Sequence, residues 1–337
     1  MILSIESSCD DSSIALTRLS DAKLVMHRKI SQEAEHACYG GVVPELASRL
    51  HAVALPKLFE AFKPHLSDIQ AVAVTNEPGL GVTLLEGIAM AKTVATFLRL
   101  PLIAVHHLKG HIYSLFIDKP TRFPMLVVLL SGGHTMVVEV SDFDTMRIVA
   151  TTMDDSVGES FDKTAKMMGL GYPGGPVIEA LAKEGDETRF VLPVPLQNSP
   201  KIAFSLSGLK NAVRLQIEAL GGHEAMSEQD KRDLAASFQK AVTAHLLQKC
   251  KKIIADHPYR DVAIVGGVGA NAYIKAAFAQ LCDTYGKALH TVPLAYCSDN
   301  AAMIGRFGVD AYRKERFVTP EALQMGTTRK LQPGELL

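Results

Sequence analysis

The sequence contains no tryptophan and carries little net charge. Its 337 residues include 35 Lys and Arg side chains against 36 Asp and Glu, for a formal net charge of −1 at pH 7. A nearly neutral chain has no overall field that draws it onto nucleic acid or an anionic lipid surface. The composition therefore excludes a generic polyanion-binding protein, and any polyanion has to be met by a local patch.

Cysteine is scarce as well. The thiols are odd in number, widely spaced and contain no C-x-x-C pair, which argues against a disulfide framework and against a zinc ribbon. This usage predicts a cytoplasmic protein. The five cysteines are Cys9, Cys38, Cys250, Cys282 and Cys297.

Long hydrophobic runs are also missing. The longest unbroken apolar run, residues 125–130, has six residues, whereas a membrane-spanning helix needs about 20. Near the N-terminus, Glu6 and Asp10 interrupt the chain before the apolar region of a signal peptide could form. We therefore expect neither a membrane span nor export.

What the sequence does contain is an alternation of short apolar runs and long helical patterns, which is typical of an α/β protein. At about 100–200 residues per domain, the length predicts two domains. An apolar stripe predicts a helix over 234–254, and weaker patterns predict helices over 84–98, 159–168, 272–285 and 300–313. Strands are predicted over 2–5, 13–17, 71–74, 102–105, 125–130, 136–140 and 262–265.

Two segments share a strand, polar turn, strand pattern. They are ILSIESSCDDSSIAL, which begins at Ile2, and MLVVLLSGGHTMVVEV, which begins at Met125. Each predicts a hairpin whose turn is rich in hydroxyl and backbone N–H groups. An internal duplication would produce two related domains facing one cleft. The alternative is that any α/β protein contains such hairpins.

The motif VHHLKGH places His107 and His111 four residues apart, on one face of a helix if the segment is helical. Two imidazoles at this spacing can chelate a metal, although an isolated pair is often incidental. Metalloproteases of the H-E-x-x-H type need a Glu beside the first His, and none is present here. In CSDN, Asp299 is either a third metal ligand or the cap of the following helix. Ser298 is the other candidate for the cap.

Two glycine-rich turns could approach a nucleotide. IVGGVGAN (264–271) follows a predicted strand and opens a helix, but it matches neither the Rossmann nor the Walker spacing. YPGGP separates a helix carrying Asp162 from one carrying Glu179. These carboxylates are either acceptors for ribose hydroxyls or ordinary solvated charges beside a tight helix–helix turn.

Ten motifs in order resemble the TsaD family, the bacterial tRNA adenosine threonylcarbamoyltransferases. They are SIESSCDDS, YGGVVPELASR, PGLG, HHLKGH, LLSGGHT, ESFDKTAK, YPGGP, FSLSGLK, GGVGAN and CSDN, and they span about nine-tenths of the chain. The resemblance implies an α/β fold of the actin/sugar-kinase/Hsp70 type, with two RNase H-like domains around a nucleotide cleft. The implied domains are 1–120 plus 298–337, and 121–297.

The resemblance also implies the reaction. The threonylcarbamoyl group of threonylcarbamoyl-adenylate would pass to N6 of adenosine 37, in tRNAs that read codons beginning with A. AMP would be released. Because adenosine 37 lies in the anticodon loop, it can be reached without opening a duplex. Basic candidates for the tRNA phosphates are Lys163, Lys166, Lys201, Lys210 and Arg214, each of which could equally be a solvated charge.

Site residues are implied position by position. The metal ligands would be His107, His111 and Asp299, holding one divalent metal, Fe(II) first and Zn(II) second. The phosphate- and acyl-binding loop would consist of Leu129, Leu130, Ser131, Gly132 and Gly133. The nucleotide contacts would be Asp162, Gly175 and Glu179. The adenosine-side contact would be Asn271. The catalytic candidates are Asp10 and Asp11, although many relatives have Glu at the second position. Leu129 replaces a tyrosine ligand of archaeal and eukaryotic relatives, so three protein ligands are expected.

The partners implied are the tRNA anticodon loop, threonylcarbamoyl-adenylate, a shorter paralogous subunit (TsaB-like) and a small P-loop ATPase (TsaE-like). Two other classes of protein share features with this sequence. One is an ATP-hydrolysing kinase or chaperone-like protein of the same fold, and the other is a non-catalytic scaffold. Glycoprotease activity is the weakest alternative.

Overall fold

Two five-stranded sheets form the framework of the protein, each in its own structural unit, in a computed structural model that describes residues 1–326 and 330–337. Unit 1 contains Met1–Arg122, Pro293–Lys330 and Leu337, and unit 2 contains Phe123–Val292 and Leu331–Leu336. The N-terminal domain expected from the sequence includes residues 327–329, which lie outside the described part of the chain.

The elements follow one another as alternating strands and helices. The strands are β1 Ile2–Glu6, β2 Asp11–Thr17, β3 Leu24–Ser31, β4 Ala71–Glu77, β5 Leu102–His106, β6 Met125–Leu130, β7 Thr135–Val140, β8 Met146–Thr151, β9 Asp261–Val265 and β10 Ala288–Thr291. The α-helices are α1 Glu33–Ala37, α2 Pro44–Phe59, α3 Gly81–Leu98, α4 His107–Tyr113, α5 Val157–Met167, α6 Gly174–Ala182, α7 Ser207–Ala219, α8 Glu228–Ile254, α9 Ala272–Thr284 and α10 Ala301–Arg313. Short 3₁₀ helices cover Glu60–Asp68, Ser114–Phe116, Gly267–Ala270 and Leu294–Tyr296.

The sheet of unit 1 has the strand order β3-β2-β1-β4-β5. β1 pairs antiparallel with β2 and parallel with β4, so the hairpin of the N-terminal motif is continued by two parallel strands. Helix α10 packs on β1, β2 and β4, whereas α2 and α3 also pack on strands of this sheet. All five residues of β1 are buried, including the polar Ser4 and Glu6, as is usual for a strand that lies inside a sheet covered by helices.

The sheet of unit 2 has the order β10-β9-β6-β7-β8. β6 pairs antiparallel with β7 and parallel with β9, and β9 pairs parallel with β10. The order and pairing sense are those of unit 1, with β6 in the place of β1. The shared topology supports the internal duplication that the two hairpin motifs predicted.

The predicted helices and inner strands are present, and the differences have local causes. Helix α8 begins six residues before its apolar stripe because Ser227 and Asp230 form a capping box. The sequence analysis missed β3, β8 and β10, which lie at three of the sheet edges. Edge strands are covered less completely than inner ones, so their hydrophobic pattern is weaker: β3 contains no buried residue.

Helix α3 is the one helix of the described residues that is long and apolar enough to cross a membrane by length and composition. The search for unbroken apolar runs did not detect it because Glu86 and Lys92 interrupt the segment. Its Leu84, Ile88 and Ala91 belong to the buried core of unit 1. This is the packing of a core helix.

Candidate metal centre and substrate loops

The histidine pair lies on α4, which begins at His107 directly after β5. The two imidazoles are one helical turn apart and buried, with ring centroids separated by 4.6 Å. Gly110 between them lets the helix pack closely, since a Cβ at this position would lie 2.8 Å from Cδ1 of Ile304 on α10. The motif therefore forms the helical chelate geometry that its spacing predicted.

Asp299 reaches this pair from the chain before α10. Its Oδ1 lies 3.2 Å from His111 Nε2 and 3.5 Å from His107 Nε2. Neither Ser298 nor Asp299 caps α10, which was the alternative to a ligand role for Asp299, because the N-cap is Asn300, whose side chain accepts a hydrogen bond from Met303 N. With Asn300 satisfying the helix N-terminus, the carboxylate of Asp299 points to the imidazoles instead.

The cluster fits a divalent cation. Potential ligand atoms of His107, His111 and Asp299 all lie within 4.8 Å of one another. Both ring nitrogens of His111 are buried, Nδ1 has no hydrogen-bond partner among the described residues, and Nε2 lies 3.2 Å from Asp299 Oδ1 without the geometry of a hydrogen bond. Metal–nitrogen and metal–oxygen bonds of about 2.1 Å place ligand atoms roughly 3–3.5 Å apart, which matches the two distances from Asp299. Two imidazoles and one carboxylate suit Fe(II) or Zn(II).

Glu6 supports His107 from behind, a role that the sequence analysis missed. This carboxylate is fully buried, and its Oε2 lies 3.2 Å from His107 Nδ1. The same nitrogen lies 3.1 Å from Ser8 Oγ. A carboxylate at Nδ1 favours the tautomer whose Nε2 lone pair faces Asp299, as in other carboxylate–histidine–metal arrangements. The available signal was a lone acid at the end of a buried strand whose other residues are uncharged, ILSIE.

The charges of this cluster are strongly coupled. Burial disfavours the charged imidazole, but Asp299 and Glu6 outweigh that effect and raise the pKa of His107 to about 10. Burial likewise opposes ionisation of Asp299, yet the two histidines hold its pKa well below the usual range. In the absence of a metal, the site therefore holds a proton on His107 between two carboxylates.

The predicted catalytic carboxylates lie in and beside the turn between β1 and β2. Burial raises the pKa of Asp11 to about 7, although Lys29 opposes this shift. Lys29 Nζ donates to Asp11 Oδ2 at 2.5 Å. The backbone oxygen of Asp10 accepts a hydrogen bond from Gln32 N. The turn is thus tied to β3, a strand that the sequence analysis did not identify.

A buried histidine holds the same turn from the other side. Ser12 Oγ lies 2.7 Å from His51 Nδ1, and His51 Nε2 lies 2.8 Å from the backbone oxygen of Cys9. The backbone oxygen accepts, so Nε2 carries the proton and Nδ1 accepts from the Ser12 hydroxyl. The conformation of the acidic turn is therefore fixed by side chains on α2 and β2.

In unit 2, the LLSGGHT hairpin turn lies against the N-terminus of α5. Gly132 and Gly133 are exposed, and a Cβ at either position would meet nothing within 4 Å. The N-cap residue of α5, Ser156, donates to the backbone oxygen of Gly132. Gly158 packs so closely that its Cβ would lie 2.7 Å from the Ser131 oxygen. Exposed backbone beside the positive end of a helix is suited to an anion.

Two other predicted members of this loop lie within β6. The side chains of Leu129 and Leu130 are fully buried in β6. The GGVGAN turn packs beside Leu130, since Gly266 has φ +92° and its Cβ would lie 2.3 Å from the Leu130 oxygen. Asn271 is the N-cap of α9: its Oδ1 accepts from Ile274 N, and its Nδ2 donates to Gln239 Oε1.

The predicted nucleotide contacts also have structural partners. Asp162 Oδ1 accepts a hydrogen bond from Gly174 N at 2.7 Å, which satisfies the start of α6. Glu179 Oε1 accepts from Ala272 N at 2.8 Å, at the start of α9. Gly175 leaves open space where a Cβ would be. Each carboxylate therefore uses at least one oxygen to fix a helix terminus, and their contact with a nucleotide stays a prediction.

The basic candidates for tRNA phosphates are partly neutralised. Lys163 and Lys210 both pair with Asp155, at 2.8 and 2.5 Å. Arg214 pairs with Glu218 within α7. These ion pairs reduce the positive field available to a polyanion, as the near-zero net charge suggested.

Comparison with known proteins assigns the family. Residues 23–306 match the family model "TsaD: tRNA N6-adenosine threonylcarbamoyltransferase". The chain is 69% identical over 337 residues to the tRNA N6-adenosine threonylcarbamoyltransferase of Sulfurovum sp. (strain NBC37-1), covering 100% of both chains. It is 52% identical over 342 residues to that of Helicobacter pylori (strain P12), covering 99% of this chain and 100% of the relative.

Solved structures show the fold. A full-length HypF structure aligns over 93% of this chain and 46% of its own, with a TM-score of 0.59 and 14% identity. Component A of the (R)-2-hydroxyglutaryl-CoA dehydratase of Acidaminococcus fermentans aligns over 93% of this chain and 98% of its own, with a TM-score of 0.53 and 13% identity. The predicted actin/sugar-kinase/Hsp70-type architecture is confirmed. With the motifs, the metal-ligand cluster and the family match in agreement, the chain belongs to the TsaD family of tRNA N6-adenosine threonylcarbamoyltransferases.

Proposed function

We propose that the protein transfers the threonylcarbamoyl group of threonylcarbamoyl-adenylate to N6 of adenosine 37 in tRNAs that read codons beginning with A. The observation that carries this proposal is the convergence of His107, His111 and Asp299 in a chain of this family. Both ring nitrogens of His111 are buried without a hydrogen-bond partner among the described residues, which is costly in a purely structural site and is relieved when a bound cation takes up a nitrogen lone pair.

The transfer balances without a further reactant. A bond forms between N6 and the carbamoyl carbon, the bond from that carbon to the phosphate oxygen breaks, AMP leaves, and N6 loses a proton. Because the mixed anhydride is already reactive, the protein has mainly to position both reactants and stabilise developing charge. A divalent cation bound at the cluster would supply Lewis-acid polarisation of threonylcarbamoyl oxygens.

The chain's own residues would divide the remaining work. Backbone N–H groups of Gly132 and Gly133, next to the N-terminus of α5, would hold the phosphate. The third predicted donor, the N–H of Ser131, already donates to the backbone oxygen of His134. Asp11 or Asp10 would accept the proton from N6. The adenylate would be surrounded by Asp162, Gly175, Glu179 and Asn271. Leu129 and Leu130 would contribute only their backbone.

The test is mass spectrometry of tRNA nucleosides after incubation with the purified protein, threonylcarbamoyl-adenylate, metal and partner proteins. We expect threonylcarbamoyl-adenosine at position 37 with the wild-type chain and none with His111→Ala. Cleavage of ATP without tRNA, and no modified adenosine under any combination, would instead indicate an ATPase of the same fold.

We propose Fe(II) as the resident metal, which the family resemblance implies, and Zn(II) as the second choice; the donor set of two imidazoles and one carboxylate suits both. Anaerobic purification followed by elemental analysis tests this assignment. We expect a ratio near one metal ion per chain that His111→Ala abolishes. Recovery of zinc alone from cells supplied with iron would overturn the preference for iron.

We also propose the assembly and the location. A shorter TsaB-like paralogue and a small TsaE-like P-loop ATPase would act with this chain in the cytoplasm, without a membrane. The proposal is supported by the near-zero net charge, which leaves tRNA affinity to be shared, and by five cysteines that are all free. Alone, the chain should bind tRNA weakly, and gel-shift titration with and without the partners measures the difference.

As domains we propose 1–120 plus 298–337, and 121–297, each of the RNase H-like kind. Two observations support this division: the structural units separate near residues 122 and 292, although Leu331–Leu336 group with unit 2, and the two sheets share strand order and pairing sense. Limited proteolysis followed by mass spectrometry should find cleavage concentrated near the two boundaries. Cleavage confined to the inside of either unit would contradict the division.

A further inference from the structure

Lys29 occupies an unusual position for a lysine on an edge strand. Its ammonium group has three hydrogen-bond donors, and all three have acceptors within range. Nζ lies 2.5 Å from Asp11 Oδ2, 3.1 Å from Ser298 Oγ and 3.1 Å from the backbone oxygen of Asp299. An ammonium with a separate acceptor for each proton is held in one orientation, whereas most surface lysines are mobile.

The three acceptors come from two segments that are far apart in the sequence. One is the acidic turn that carries Asp11, and the other is the segment before α10, which carries Asp299. The side chain of Lys29 is 24% exposed and that of Asp11 is 13% exposed. The pair is thus more enclosed than the exposed ion pairs that contribute little to stability. Lys29 links a predicted catalytic carboxylate to the backbone of a metal-ligand candidate.

The link leaves the other oxygen of Asp11 available. Oδ1 is buried and has no hydrogen-bond partner in the described part of the chain. A buried carboxylate oxygen without a donor is costly unless a bound molecule supplies one. The arrangement fixes one oxygen on Lys29 and leaves the other, an acceptor, without a donor.

We propose that Lys29 is a positioning residue, which holds Asp11 through Oδ2 so that Oδ1 accepts the proton of the substrate amine. This proposal rests on the proposed function, since it assumes transfer to the exocyclic amine of an adenosine. It also selects Asp11 over Asp10 as the proton acceptor. Lys29 itself need not touch the substrate.

The experiment compares Lys29→Met, Lys29→Arg and Asp11→Asn with the wild-type chain in the complete tRNA-modification assay. For Lys29→Met we expect kcat to fall about 10- to 100-fold, because general base catalysis contributes about 10²- to 10⁴-fold and only its alignment is lost. The KM values for tRNA and donor should stay within about twofold. Lys29→Arg, which retains a cation beside Asp11, should recover most of kcat.

A double-mutant cycle identifies the residue through which Lys29 acts. If Lys29 works through Asp11, adding Lys29→Met to Asp11→Asn should lower kcat no further. Arg28→Met is the matched control, because Arg28 is the preceding residue of the same strand and its guanidinium donates to the backbone oxygen of His27. The control should leave kcat unchanged. Metal content measured for each variant should remain near the wild-type value, since the side chain of Asp299 is not altered.

Several results would overturn the proposal. An unchanged kcat for Lys29→Met, or a further additive loss in the Asp11→Asn background, would show that Lys29 does not act through Asp11. A rise in KM at constant kcat would show that Lys29 instead binds an anionic group of a substrate. Loss of metal would assign it to support of the Asp299 segment. If the wild-type protein forms no modified adenosine, the proposed function fails, and this inference fails with it. If the wild-type protein is active and the variants give one of the results above, only the inference about Lys29 fails.

Discussion

Glu6→Gln is the substitution that most directly tests the support behind the metal-ligand cluster. The wild-type carboxylate accepts hydrogen bonds from Ser8 N at 2.6 Å, from Thr75 Oγ1 at 2.5 Å and from His107 Nδ1 at 3.2 Å. Glutamine has the same shape but only one acceptor oxygen. Whichever way the amide turns, its NH₂ group faces a donor that the carboxylate had satisfied.

The orientation that keeps the bond to Ser8 N places the NH₂ group against His107 Nδ1. An N–H directed at Nδ1 favours the tautomer with a proton on Nε2, the nitrogen that faces Asp299. Loss of such an outer partner typically weakens metal binding by about 10- to 100-fold, equivalent to about 1.4–2.7 kcal/mol. We therefore expect the metal Kd of Glu6→Gln to rise by this factor, with the three ligand candidates still in place.

The assay is competition of the apoprotein with a chromophoric chelator for Zn(II) or Co(II) at fixed pH. His111→Ala defines complete loss of the site. Glu86→Gln is a control for the substitution itself, because Glu86 accepts a hydrogen bond from Ser48 on the outer helices of unit 1. A Kd for Glu6→Gln within twofold of wild type, in a protein that melts normally, would refute the reasoning about the tautomer.

Three further predictions follow from single features. Because the pKa of His107 is raised to about 10 without metal, the ring is protonated at pH 7.5. Metal binding should therefore release that proton, and the metal affinity should increase as the pH rises towards 10. Calorimetry in buffers of different ionisation enthalpy measures the number of protons released, and zero release would contradict the assignment. Gly266→Ala should lower the free energy of unfolding by about 2–3 kcal/mol, since φ is +92° and the Cβ would overlap the Leu130 oxygen. Urea titration measures this change. Gly267→Ala is the control, because its Cβ would meet nothing within 4 Å. Ser227→Ala removes half of the capping box of α8 and should cost about 1 kcal/mol by the same titration.

Local sequence patterns predicted much of the secondary structure for a physical reason. A hairpin, a helix cap and an i, i+4 pair each depend on residues close together in the chain. The two hairpins, the helix of the histidine pair and the helices of Asp162 and Glu179 therefore form where the sequence indicates. The half-exposed edge strand β3 lacks such a pattern. The sequence therefore predicted neither this strand nor the position of Lys29 on it.

The sequence alone determined the composition limits, the class of the fold, the ordered motifs and the metal-ligand types. Only the tertiary structure decided which side chains meet. It brings Asp299 to His107 and His111, places Glu6 behind His107, and assigns the cap of α10 to Asn300 rather than to Asp299. The contacts that Asp299 and Glu6 make with the histidines join residues that are about a hundred or more positions apart. Their proximity depends on how β1, β5 and α10 pack in one core, and no local pattern encodes that packing.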